Sequence, residues 1–85
     1  MNNKKNRVSV KIYNSEYTLV GSNDKEYLEY VAEAVDDKLC EVARMNAGPD
    51  LHRKAVLTCV NLMDEYIQLE EKYDKVLKEL KELKE

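Results

Sequence analysis

Residues 50–85 read DLHRKAVLTCVNLMDEYIQLEEKYDKVLKELKELKE, a stretch with neither glycine nor proline. The pattern predicts one long helix from about residue 50, with Asp50 as its N-terminal cap. At about 1.5 Å per residue such a helix would be about 54 Å long, more than a domain of this size can cover. It also carries two apolar stripes. Val56, Val60, Met63 and Ile67 form one. A heptad seam forms the other: Cys59, Tyr66, Tyr73 and Leu80 recur every seven residues, and Ala55, Leu62, Leu69, Val76 and Leu83 recur at an offset of three. The first stripe is expected to cover the rest of the fold. The seam is expected to meet a second copy, with Ala55, Cys59, Leu62, Tyr66, Leu69, Tyr73 and Val76 as the dimer interface. A two-fold pair lets such a seam match itself. Asn61, polar within the apolar half of this helix, is expected to hydrogen-bond inside the fold or across the dimer, because a buried amide needs partners.

Upstream of the long helix, the chain divides at its turn residues. Val8, Val10 and Ile12 alternate with Ser9 and Lys11, a period of two that marks a strand. Residues 7–21 are expected to form a β-hairpin turning at Asn14-Ser15, with Ile12 facing Tyr17, Val10 facing Leu19 and Val8 facing Gly21. Tyr13 is expected to point outward with Lys11. Asn23, with Glu26 three residues on, predicts a capping box. Leu28, Val31, Ala32, Val35, Leu39 and Val42 then recur at helical spacing, opposite Glu29, Glu33, Asp36, Asp37 and Glu41. This second amphipathic segment, about 24–46, ends at Asn46-Ala47-Gly48-Pro49. The expected fold is α+β and mainly α: a hairpin, an amphipathic helix, then a long helix ending in a short coiled coil. Residues 1–6 are expected to be a disordered basic tail, 7–69 a dimerising head and 70–85 a coiled-coil extension.

The 85 residues make one domain whose own core is marginal. Cys40 and Cys59 are too few and too far apart, with one histidine, for a disulfide framework or a zinc site. The net charge of −3 is uneven: Met1–Ser22 carries +3 and Asn23–Asp50 carries −5. That distribution argues against nucleic acid as a partner. No export signal and no stretch of about 20 apolar residues is present, so the expected compartment is the cytosol, with no membrane span. No phosphate-binding glycine loop, nucleophile elbow or HExxH motif occurs, and His52 has no nucleophile near it in sequence. No catalytic, cofactor or metal site is expected. An enzyme subunit completed at a dimer interface would need His52 or Cys59 in a ligand pocket, and a seam of Leu, Tyr and Val gives no reason for one.

Three strings carry a family resemblance. VSVKIYNSEYTLVG, EYLEYVAEAVDDKL and AVLTCVNLMDEY, in that order across about residues 7–69, resemble the ZapA family of bacterial cell-division proteins. This chain departs from the family pattern at Thr58-Cys59-Val60 and in its short tail. The resemblance implies a head that dimerises through the long helix and a tetramer formed through the tails. It implies a cytoplasmic protein at the division site that binds FtsZ and bundles its filaments in the Z-ring during septation. It further implies an acidic partner, so Lys11, Lys38, Arg44, Arg53 and Lys54, with Tyr13, are the candidate partner-binding residues. The alternative reading is a small dimeric coiled-coil adaptor or a regulatory protein, one form of which would bind nucleic acid.

Overall fold

The computed structural model describes residues 5–84. Two strands are followed by two helices: β1 (Asn6–Ile12), β2 (Ser15–Gly21), α1 (Lys25–Met45) and α2 (Leu51–Lys84). The chain forms two compact units, one ending at Asp50 and one beginning at Leu51. Most of the expected basic tail, residues 1–4, lies outside the described residues, and Asn6 already belongs to β1.

In the first unit, β1 and β2 pair antiparallel with Ile12 opposite Ser15, Val10 opposite Tyr17 and Val8 opposite Leu19. This corrects the expected register by two residues. The turn is Tyr13-Asn14, with φ of 50° and 67°. A two-residue hairpin loop matches strand twist when both central residues have positive φ, and Asn14 serves that need one position earlier than expected. A slip of two residues keeps every side chain on its own face, so alternation alone did not distinguish the two registers. Tyr13 is therefore a half-buried turn residue, not an outward strand residue.

Helix α1 lies along β1 and runs in the same direction, tethered before its first residue and at mid-length. Asn6 Nδ2 donates to the carbonyl of Asn23 at 2.7 Å, and the Tyr13 backbone N–H donates to Asp36 Oδ1 at 2.6 Å. The lengths agree: β1 covers about 24 Å between these tethers at about 3.4 Å per residue, and α1 covers about 20 Å at about 1.5 Å. Between them Val8, Val10 and Ala32 are buried, with Ile12, Leu19 and Leu28 packed around them. Gly21 closes the end of this layer; a Cβ there would stand 3.3 Å from Leu28 Cδ2. Asp36, expected on the solvated face, is held inward by the turn.

The cap of α1 is Asp24, not Asn23. Its side chain accepts from the Tyr27 N–H at 2.9 Å. A carboxylate suits the positive end of a helix better than an amide, and the Asn23 carbonyl is engaged by Asn6. At the other end, Asn46 Nδ2 donates to the Val42 carbonyl at 2.9 Å, and Gly48 (φ 111°) turns the chain toward α2.

The second unit is α2. Thr58 is its one buried residue among those described. The Thr58 hydroxyl donates to the Lys54 carbonyl at 2.8 Å, which satisfies the buried oxygen within the helix. The stripe expected to cover the fold remains open: Val56, Val60, Met63 and Ile67 are 45–61% exposed. The hairpin's apolar face is covered from within its own unit by α1.

Candidate functional site

The seam of α2 is the largest feature that the chain leaves uncovered. An α-helix turns 100° per residue, so positions alternating three and four apart stay on one side of it. Leu62, Tyr66, Leu69, Tyr73, Val76, Leu80 and Leu83 occupy those positions, and every one is exposed, from 38% at Leu62 to 82% at Leu83. Ala55 and Cys59 at the start of the seam are exposed as well. Asn61, expected to be buried, is exposed. Leu77 falls outside the heptad reading; it lies beside the seam, two heptads after Met63 with Glu70 between them, and is also exposed. A helix cannot fold back on its own stripe. Burying the open half of the six residues from Leu62 to Leu80 would contribute about 4–9 kcal/mol per chain.

The candidate partner-binding residues are spread over both units. Lys11 lies on the hairpin face opposite α1, because Val10 and Ile12 point the other way. Tyr13 sits at the hairpin tip in the left-handed region, which bulky residues seldom adopt. Lys38 is 3.9 Å from Glu41 on α1, and Arg44 is in the last turn of that helix. Arg53 and Lys54 belong to the first turn of α2.

His52 is exposed. Among the described residues, no group of three His, Cys, Asp or Glu side chains could hold a metal ion, and no helix is long and apolar enough to cross a membrane.

These features define a class: a small α+β chain with a compact hairpin–helix unit and a long helix that keeps an apolar seam at its surface. The family model described as "Cell division protein ZapA" matches residues 8–85. A protein of that name from Geobacillus sp. (strain WCH70) is 42% identical over 77 residues, which cover 91% of this chain and 88% of the relative. One from Bacillus subtilis (strain 168) is 40% identical over 79 residues, covering 93% of each. The solved structure of a ZapA mutant dimer from Geobacillus stearothermophilus aligns with a TM-score of 0.72 at 39% identity, over 94% of this chain and 93% of that one. The chain belongs to the ZapA family of cell-division proteins, which are not enzymes.

Proposed function

We propose that this chain is a cytoplasmic cell-division accessory protein that binds FtsZ and cross-links or bundles its filaments at the Z-ring, acting as a bivalent homo-oligomer. The exposed seam of α2 is the observation that carries the reading, because a second copy is the simplest cover for a surface that repeats every seven residues. Ala55, Cys59, Leu62, Tyr66, Leu69, Tyr73 and Val76 form the dimer interface, with Asn61 hydrogen-bonding across it. The dimeric state of the solved Geobacillus stearothermophilus relative supports this arrangement. Residues 7–69 act as the dimerising head. Residues 70–85 pair as a short coiled coil that joins two dimers into a tetramer. Family membership favours this function over that of an adaptor or nucleic-acid regulator.

The mechanism needs no chemistry at a reacting centre. A two-fold oligomer presents each partner-binding patch at least twice on one frame. The second contact is then made at the effective concentration set by that frame, which holds two filaments together or grips one filament at two subunits. Lys11, Lys38, Arg44, Arg53 and Lys54 supply positive charge toward an acidic filament. Tyr13 supplies an aromatic contact at the hairpin tip. Its left-handed backbone supports that role, since strained positions concentrate at functional sites.

Co-sedimentation and light scattering of FtsZ filaments test the reading. The Lys11→Glu, Arg53→Glu, Lys54→Glu triple variant is expected to lose pelleting while remaining a folded dimer. A chain ending at Glu71 is expected to bind filaments and bundle them less. Unchanged bundling by a variant that sedimentation shows to be monomeric would refute bivalence.

A further inference from the structure

A second surface lies on the side of the first unit away from β2. The sheet has only two strands, so β1 has an open edge. The two-residue loop makes Ile12 and Ser15 a doubly hydrogen-bonded pair, and the antiparallel ladder alternates from there. It follows that Arg7, Ser9 and Lys11 turn their backbone N–H and C=O groups away from β2. Beside this edge runs an open groove of about 340 Å³, with Ser9, Val10 and Lys11 on one wall and Glu29, Ala32, Glu33 and Asp36 of α1 on the other. Three carboxylates of α1 therefore overhang a vacant strand position.

We infer that this edge takes up an extended basic peptide segment as a third strand, with Lys or Arg at alternate positions lying beneath Glu29 and Glu33. The spacing supports it. Side chains on one face of a strand repeat at about 6.8 Å, and Glu29 and Glu33, one helical turn apart, are offset by about 6 Å along an axis that follows β1. The added strand's inward residues flank Val8 and Val10, so a lysine or arginine stem crosses apolar surface before its charge reaches the carboxylates. Its outward residues lie beside Arg7, Ser9 and Lys11 and are neutral or acidic. A second copy of β1 fits poorly. Antiparallel pairing about Ser9 would set Arg7 against the partner's Lys11, and like charges directly opposite are destabilising. It would also bring two acidic helix flanks together. This inference is independent of FtsZ binding; it uses the open edge of β1 and the acidic flank of α1, and of the proposed basic contacts it adjoins Lys11.

The test is fluorescence anisotropy of the full chain with a labelled, capped peptide Lys-Thr-Lys-Thr-Lys-Thr. Binding is expected, and the Glu29→Gln, Glu33→Gln variant should weaken it roughly tenfold, as two exposed ion pairs imply. In the antiparallel third strand proposed here the threonines carry the N–H groups that would bond to β1, and the lysine N–H groups point away. N-methylation of the threonines is therefore expected to abolish binding, and N-methylation of the lysines to spare most of it. That arm leaves the protein unaltered and does not depend on how a variant folds. Equal affinity for both methylated peptides would reduce the effect to simple charge attraction and overturn the proposal. Unchanged affinity of the Gln variant would overturn it as well. So would a Ser9→Pro variant whose main change is weaker self-association, since a second copy would then hold the edge.

Discussion

Val10 in β1 is 8% exposed and Met63 in α2 is 55% exposed, although each sits in a regular apolar stripe flanked by charged residues. Hydrophobicity does not separate them; the number of elements available to close over each one does. The first unit has a strand pair and a helix tethered to it at two points, so Val8, Val10 and Ala32 have cover within the chain. The second unit is one helix, with no second element inside that unit to set against its stripe. Its local support comes from contacts one turn apart, such as Gln68 Nε2 donating to Asp64 Oδ2 at 3.0 Å, each worth only about 0.2–0.5 kcal/mol. The same sequence device, an apolar stripe, thus makes a core in one unit and stays at the surface in the other.

The contrast breaks most visibly at the seam. Replacing Leu62 and Leu69 together with Glu is expected to weaken self-association by about 3 kcal/mol or more, read by sedimentation equilibrium, while the hairpin and α1 stay folded. An unchanged molecular mass would mean that the seam is not the interface. Ala32→Leu probes the other unit, where space is the limit: Ala32 is 3% exposed. Overpacking there is expected to cost about 1–3 kcal/mol in thermal melts. Asp36→Ala removes the acceptor for the Tyr13 N–H and is expected to cost about 1–2 kcal/mol, with Asp36→Asn recovering most of it. The smallest effect has the opposite sign. Tyr13→Asn is expected to stabilise the hairpin by about 0.5–1 kcal/mol, because Asn tolerates positive φ, and to weaken FtsZ co-sedimentation. A stabilised variant that bound filaments as well as before would remove Tyr13 from the contact.

The elements were legible because each has a distinct period: two in β1, three-and-four in α1 and α2. What periodicity left open was everything a side chain does at the ends of elements. Asn14-Ser15 and Tyr13-Asn14 satisfy the same alternation, so the choice fell to backbone φ at Tyr13, which its residue type does not advertise. Asn23 and Asp24 are both good caps, and the one chosen depended on Asn6, distant in sequence. Asp36 looked like one more member of a solvated acidic face; its role required knowing that the hairpin tip reaches that turn of α1. The seam was visible from heptad spacing, whereas Leu77 fell outside the heptad and was missed. The basic residues were found by charge alone, which says nothing about the direction in which a side chain points.

An unbroken α2 also ties reach to rotation. Each residue inserted within Leu51–Lys84 would lengthen the helix by about 1.5 Å and swing everything beyond it by about 100°. Length and azimuth cannot then be adjusted separately. Insertions or deletions of seven residues, about 10.5 Å, nearly restore the phase of the seam. Related chains with longer or shorter helices are therefore expected to differ in steps of that size, which makes the separation between the two ends of an assembly a quantised property.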